Sequence, residues 1–125
     1  MKKIAFVLSF ILISLFSICY AQTSASGSGA AARSFGYYAA FGDTLKAKAH
    51  VTHKDIVTPY VNHIKAEVDK LGGLDEIVVE SEEIINDKEA KVSLIYVCKN
   101  ENAKLQKTYI LLKTKNYWII ESDKL

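Results

Sequence analysis

Three histidines and a nearby aspartate are the residues of this chain whose types suit a metal site. His50 and His53 lie about one helical turn apart, Asp55 follows them, and His63 comes later. A zinc site needs three or four ligands that converge on a fixed frame. These histidines instead fall at a predicted helix start or on separate helical faces, a pattern typical of solvated or capping side chains. The sequence therefore predicts no metal site, and it gives no sign of a cofactor.

Acid–base catalysis would need a carboxylate or an imidazole close to a hydrogen-bond donor. Asp43 and His50 are the candidate bases, and Tyr38 and Tyr60 are the candidate donors. The acidic stretch Glu80–Glu83 is more typical of a solvated strand face. We assign no residue a catalytic role, and a small-molecule enzyme stays an alternative.

Asp43 also has a structural explanation. It follows Gly42, and glycine is favoured where the backbone turns left-handed just after a helix. An aspartate in the next position can cap a second helix by accepting a hydrogen bond from a free backbone N–H. The pair thus predicts a junction between two helices.

The spacing of apolar residues changes once along the chain, from helical to alternating. Helical spacing predicts helices over residues 29–41, 44–51 and 59–71. Leu45 and Ala49 of the second helix are expected to face the core. Alternation predicts strands over residues 76–85, 89–99, 105–114 and 117–122, joined by turns short enough for antiparallel hairpins. The predicted fold is α+β, with three N-terminal helices on one face of a curved four-stranded antiparallel meander.

The first 21 residues have the layout of a secretory signal peptide. Lys2 and Lys3 precede an apolar run over residues 4–18, and Ala21 offers a cleavage site. A membrane anchor is the alternative, but the run is shorter than the roughly 20 residues that a span needs. We predict export, to the periplasm or out of the cell. The mature chain would then have a flexible leader, residues 22–28, and a single domain, residues 29–125.

Export also bears on the cysteines and on the net charge. Cleavage would remove Cys19; a lipid attached to Cys19 is the weaker alternative, because Ile18 stands where a lipidation motif has a small residue. Cys98 would then be unpaired, and its place in an alternating apolar run predicts burial.

The chain has 16 basic and 14 acidic residues. Without Lys2 and Lys3 it is formally neutral, so no basic surface points to nucleic acid as a partner.

The order of elements and several short motifs resemble one group of domains. The motifs are Phe41-Gly42-Asp43, Ala90-Lys91-Val92, Leu111-Leu112-Lys113 and Asn116-Tyr117-Trp118-Ile119-Ile120. Over residues 30–122 the sequence resembles small secreted or lipid-anchored bacterial domains of unknown function with a nuclear transport factor 2-like (cystatin-like) fold. The resemblance implies that helices and sheet enclose a cone. It selects no function, because folds of this type host isomerases, dehydratases, transport adaptors and binding modules.

Aromatic residues are the predicted lining of a pocket in that cone: Tyr38, Tyr60, Tyr96 and Trp118. The strand faces expected to point inward carry no carboxylate and no histidine. They comprise Ala90, Val92, Leu94 and Tyr96, then Thr108, Ile110 and Leu112, then Trp118 and Ile120. A small apolar ligand is therefore a better fit to this pocket than acid–base chemistry.

The opposite face of the sheet is predicted to be largely apolar. It would carry Ile95, Val97, Tyr109, Leu111, Tyr117 and Ile119. A contiguous exposed apolar patch typically marks a partner surface, and we predict a homodimer through this face. The predicted interface residues are Ile95, Val97, Tyr109, Leu111 and Ile119. The alternatives are that other parts of the chain cover this face, or that the two faces are exchanged.

Together these features favour an exported, non-enzymatic domain that binds a ligand or a protein. Two other functions stay open. One is an enzyme of the isomerase or dehydratase type that uses the cone. The other is a cystatin-like inhibitor or a subunit of a cell-envelope complex.

Overall fold

Three helices precede four strands, as the sequence predicts. A computed structural model describes residues 27–125. The helices are α1 (Ser28–Phe41), α2 (Thr44–Lys48) and α3 (Val57–Lys70), and the strands are β1 (Leu74–Asn86), β2 (Glu89–Cys98), β3 (Lys104–Thr114) and β4 (Tyr117–Ile120). None of the helices in this part of the chain is long and apolar enough to cross a membrane. The predicted signal peptide, the Cys19 lipidation site and most of the predicted leader lie outside the described residues.

The strands pair in chain order, and every pair is antiparallel. This confirms the α+β class and the four-stranded meander. β1 departs from regular pairing with β2 at three places, between Leu74 and Glu76, between Val79 and Ser81, and between Ile84 and Asn86. Such bulges bend a strand and increase its twist. The long first hairpin is therefore curved, and α1 packs against both of its strands.

α1 packs closely on the sheet because it has a glycine where it crosses β1 and β2. A Cβ atom on Gly36 would lie 3.1 Å from the Tyr96 hydroxyl and equally close to the side chains of Ile77 and Leu94. Gly36 lowers helix propensity, but it also lets α1 approach the strands. Phe35 beside it is fully buried.

The second helix is shorter than predicted, and its exposed side was assigned wrongly. α2 ends at Lys48, and Val51 instead forms a parallel bridge with Ile120 of β4. Leu45 is 82% exposed, whereas Ala47 is buried. The prediction that Leu45 and Ala49 face the core is wrong, because a helix of little more than one turn presents a single side chain to the core, here Ala47.

The register between β2 and β3 corrects the predicted faces of β3. Tyr109 pairs with Val92, and directly paired residues share a face. Tyr109 and Leu111 therefore point towards the helices, where they are 2% and 0% exposed. Their predicted positions on the outer face are wrong, since an error of one residue exchanges the two faces of a strand. The inward positions predicted on β3 are wrong for the same reason: Thr108, Ile110 and Leu112.

Cys98 lies at the end of β2 and is 1% exposed, which confirms its predicted burial. Desolvation raises the pKa of its thiol. A buried thiol with a raised pKa forms little thiolate and is chemically inert. Cys98 is therefore part of the core.

Two adjacent leucines of β3 test the register. Leu111 is fully buried, so Leu111→Ala should lower the free energy of unfolding by about 2–5 kcal/mol. Leu112 lies on the outer face and is only partly buried, so Leu112→Ala should cost about 1 kcal/mol or less. Urea denaturation of the two variants gives both values. Equal losses, or a larger loss for Leu112→Ala, would contradict the register.

Candidate functional site

The interior of the cone holds three tyrosines joined by their hydroxyl groups. Tyr109 lies between Tyr60 and Tyr96, with oxygen–oxygen distances of 2.6 Å and 2.7 Å. Phe35 stacks on the Tyr60 ring and meets the Tyr109 ring edge-on, with centroids 6.0 Å and 5.6 Å away. The structure thus brings together two predicted pocket residues, Tyr60 and Tyr96, through Tyr109. It places them in the packed core rather than around an open space.

Burial keeps these phenols protonated. Desolvation raises the pKa of Tyr60 to about 12, and the negative charge of Glu67 acts in the same direction. Desolvation, with the neighbouring Tyr96 and Tyr60, raises the pKa of Tyr109 well above its usual range. At neutral pH all three can donate hydrogen bonds, but none can act as a base.

An ion-pair cluster lies beside the tyrosines, between α3 and β3. Glu67 Oε1 is 2.6 Å from His63 Nε2 and 3.4 Å from Lys107 Nζ. Neither contact has hydrogen-bond geometry at this buried oxygen, so Glu67 interacts with Lys107 through attraction between their charges. The carboxylate is engaged by its neighbours and is not presented to an open cavity.

The acidic stretch of β1 is only partly solvated, against the sequence-based expectation. Glu82 Oε2 accepts hydrogen bonds from Ser28 Oγ at 2.5 Å and from the Gly29 backbone N–H at 2.6 Å. A carboxylate at a helix N-terminus is favourable because free N–H groups and the helix dipole both attract negative charge. Glu82 therefore fixes the start of α1 on β1.

Asp43 is a helix cap, as its position after Gly42 predicts. Its carboxylate accepts a hydrogen bond from the Lys46 backbone N–H at 3.2 Å. Gly42 has φ of 74°, the left-handed conformation expected after a helix. The predicted junction between α1 and α2 is confirmed, and this hydrogen bond accounts for Asp43 without a substrate.

His50 and Tyr38 do lie together. Their rings stack with centroids 5.4 Å apart, and Lys46 Nζ lies 5.8 Å from the Tyr38 centroid. Burial lowers the pKa of His50, so its imidazole is neutral at pH 7. In the described part of the chain, no histidine, cysteine and acidic side chains cluster in a way that could hold a metal ion.

An open cavity of about 380 Å³ lies between the start of α1, the turn after α2 and the free edge of β4. Its lining carries no charged side chain: Gly27, Ala30, Ala31, Ala49, His50, Asn116, Tyr117, Trp118 and Ile119. The volume is within the range of small-molecule sites, roughly 300–1,000 Å³. Small residues on α1 and after α2 leave the space, and aromatic and polar side chains border it. We call this space the β4 cavity.

The β4 cavity contains one of the four predicted pocket residues, Trp118. Tyr38 is next to it through His50, whereas Tyr60 and Tyr96 belong to the core. Sequence reasoning missed Ala30, Ala31, Ala49 and Asn116. Alanines carry no chemical signal, and only the run of three at residues 30–32 hinted that one side of α1 is unusually small.

The outer face of the sheet is apolar in two separate parts. Ser93 and Thr108 pair across the middle of it, with a hydrogen bond of 2.9 Å between their hydroxyls. Apolar residues lie on either side of that pair: Val78, Ile95 and Val97 on one, and Ile110, Leu112, Tyr117 and Ile119 on the other. The predicted interface residues Ile95, Val97 and Ile119 are on this face.

Comparison with known proteins bears on the fold alone. No family model and no curated protein sequence matches the chain. The chain is similar to a candidate nuclear transport factor 2-like transpeptidase from Campylobacter jejuni, known from a crystal structure at 2.00 Å resolution. The TM-score is 0.65 at 20% sequence identity, over 72% of this chain and 93% of that chain. The fold is therefore nuclear transport factor 2-like, as the sequence resemblance implied.

The raised tyrosine pKa values make stability depend on pH. An unfolded tyrosine ionises near pH 10, while the folded chain holds the Tyr60 proton to about pH 12. The corresponding stability is complete below about pH 10 and is lost as the pH rises through the folded pKa values. We expect the free energy of unfolding, measured in urea, to fall steeply above pH 10.

Two variants identify the tyrosines responsible for that fall. Replacing both Tyr96 and Tyr109 by phenylalanine should make the fall shallower, because the two most buried phenols are removed and Tyr60 remains. Tyr117→Phe is the matched control, since Tyr117 is 55% exposed and should leave the pH dependence unchanged. A fall as steep in the double variant as in the unmodified protein would contradict this account.

Proposed function

We propose that this protein is an exported, non-enzymatic binding domain that holds an uncharged, largely apolar group in the β4 cavity. The main support is the chemistry of that cavity: it is open to solvent, and its lining has no charged side chain. In the core, the hydroxyl groups of Tyr60, Tyr96 and Tyr109 are hydrogen-bonded to one another, and Glu67 is paired with Lys107. The export component rests on the first 21 residues of the sequence.

The chemistry of the lining supports binding rather than catalysis. His50 is the titratable side chain of the cavity apart from the Tyr117 phenol, and its lowered pKa leaves it neutral. A neutral imidazole and the Asn116 amide can each form hydrogen bonds with a polar end of a ligand. The alanines opposite them offer a shallow apolar surface. Such a site orients a ligand but supplies no acid–base pair.

The transpeptidase description of the Campylobacter jejuni protein applies to that protein. Acyl transfer through an enzyme-bound intermediate needs an activated nucleophile next to a base. Within residues 27–125 the one cysteine is Cys98, which is buried and has a raised thiol pKa. The described part of this chain therefore offers no accessible thiolate, and a binding role fits it better.

Filling the β4 cavity should weaken binding and leave the fold intact. Ala30 lines the cavity, so Ala30→Leu places a larger side chain in it. The probe is N-phenyl-1-naphthylamine, a neutral apolar fluorophore, and Trp118 is the single tryptophan of the chain. Titration should raise probe fluorescence and quench Trp118 emission, and Ala30→Leu should weaken binding at least about tenfold, or 1.4 kcal/mol.

Ala66→Leu is the matched control, because Ala66 is exposed on α3 and is not part of the cavity lining. It should bind the probe as the unmodified protein does. Equal affinity of the two leucine variants would contradict the proposed site. No saturable binding by the unmodified protein would contradict the proposed function itself.

The outer face of the sheet supports a second proposal, a homodimer. Val78, Ile95 and Val97 form one of its apolar parts. Across the sheet, Val97 lies between Glu76 on β1 and Lys104 on β3. A second copy rotated by two-fold symmetry about an axis along the strands would bring these opposite charges towards each other. Burial of the aliphatic side chains between the copies would supply most of the stabilisation.

Ile95→Asp tests the homodimer, since it places a charge in the apolar part formed by Val78, Ile95 and Val97. We expect light scattering to show a dimer for the unmodified protein and a folded monomer for Ile95→Asp. Asn62→Asp adds the same charge on the exposed side of α3 and should remain dimeric. An unmodified protein that is monomeric at high concentration would rule out this interface.

A further inference from the structure

We propose that the β4 cavity binds an extended peptide, which adds a strand to the free edge of β4 at Trp118. This inference rests on the proposed function, because it names the class of ligand that the same cavity would take. The ligand is a segment of another protein with small, uncharged side chains. Its main chain would bond to β4, and alternate side chains would enter the cavity.

The free edge of β4 already carries one such contact from within the chain. The Ile120 backbone N–H donates to the His50 carbonyl at 2.7 Å, and the Ile120 carbonyl accepts from the Thr52 N–H at 2.9 Å. These bonds form the parallel bridge between Val51 and Ile120. The edge of β4 therefore accepts a neighbouring strand at Ile120, and the segment that pairs there runs parallel to β4.

The next outward-facing backbone groups belong to Trp118. In a paired strand, the N–H and C=O groups of successive residues point alternately to the two sides. The Glu121 N–H donates to the Ile110 carbonyl of β3 at 2.8 Å, whereas both backbone groups of Ile120 point away from β3. By the same alternation those of Trp118 also point away from β3. Among residues 27–125, no hydrogen bond to them is present.

The chain that pairs with Ile120 turns away before it reaches Trp118. Continuing the parallel bridge by two residues would place Ala49 opposite Trp118. Ala49 is instead in the turn that ends α2, where its N–H donates to the Lys46 carbonyl at 3.2 Å. The result is a gap in the edge at Trp118, with Ala49 and His50 at one end of it.

The size and chemistry of the gap favour a peptide. An added strand lies about 4.7–4.9 Å from its neighbour, and the wall facing β4 consists of Gly27, Ala30 and Ala31. These small residues leave clearance for a main chain. The lining carries no charge, so charged side chains on the ligand would lose hydration without a partner. Alanine, valine, serine and threonine suit the space.

A second copy of this chain fits the gap less well. Two-fold pairing of β4 with another β4 would need several consecutive free positions in an antiparallel ladder. Val51 already occupies the edge at Ile120, so the free part is too short. An extended peptide does not need several consecutive free positions, because it can pair with Trp118 alone and occupy the cavity beside it.

The test uses a blocked, uncharged pentapeptide of alternating alanine and valine, added to the mature protein labelled with ¹⁵N. We expect saturable binding, a shift of the Trp118 backbone amide signal and at least about tenfold slower hydrogen exchange at that amide. A peptide with the same side chains, N-methylated in the backbone at its central residue, should bind at least about tenfold more weakly. Ala30→Leu should weaken binding of the unmethylated peptide, and Ala66→Leu should not.

Binding of N-phenyl-1-naphthylamine and binding of the pentapeptide test the proposed function and the peptide proposal separately. If N-phenyl-1-naphthylamine binds but the pentapeptide does not, the peptide proposal is wrong and the cavity still binds apolar ligands. Equal binding of the N-methylated peptide, or unchanged exchange at Trp118, also overturns it. Protection of the Trp118 amide without peptide would show another occupant and overturn it too. If that protection depends on protein concentration, the occupant is a second copy of the chain. If deletion of residues 22–26 removes the protection, the occupant is the leader.

Discussion

The arrangement of helices and sheet depends on the hydroxyl group of Tyr109. This group is buried, and a buried hydroxyl must find hydrogen-bond partners because it cannot reach water. Its partners are Tyr60 on α3 and Tyr96 on β2. Gly36 allows α1 to pass within contact distance of the Tyr96 hydroxyl. The three hydrogen-bonded hydroxyls thus hold α3 against β2 and β3, and α1 packs next to them at Gly36. Apolar side chains fill the space around them.

The three tyrosines and the apolar side chains around them fill the middle of the cone. The sequence resemblance implied that a ligand pocket would lie in the cone between helices and sheet. Here that space holds neutral phenols and aliphatic side chains, and the nearby Glu67 is paired with Lys107. The β4 cavity lies instead at one end of the sheet, beside β4. A shared fold therefore does not imply a shared site, since the fold leaves the choice of inward side chains free.

The two edges of the sheet differ in how they are covered. At β1, the hydroxyl of Tyr37 accepts a hydrogen bond from the Ile77 N–H at 3.3 Å, and irregular pairing bends the strand. Both features discourage pairing with another strand. At β4, the residues around Val51 cover the edge only as far as Ile120. The β1 edge is thus irregular and engaged at Ile77, whereas the β4 edge is open over a short length, which is where the cavity lies.

The sequence by itself determined the order and type of the elements, because helical spacing and alternation of apolar residues are local signals. It also determined the helix junction at Gly42 and Asp43 and the burial of Cys98. It did not determine which face of β3 is buried. Tyr109, Ile110, Leu111 and Leu112 are all apolar, so alternation is absent there, and only the register with β2 places Tyr109 inside.

The candidate site was even less accessible from the sequence, apart from Trp118. Its walls come from Gly27, Ala30 and Ala31, from residues 49–50 and from residues 116–119, which are far apart along the chain. The glycine and the alanines among them have no distinctive chemistry until the fold brings them together. The sequence therefore specified the parts that local pattern controls, and tertiary structure alone decided the site, because a cavity is a property of the space between segments.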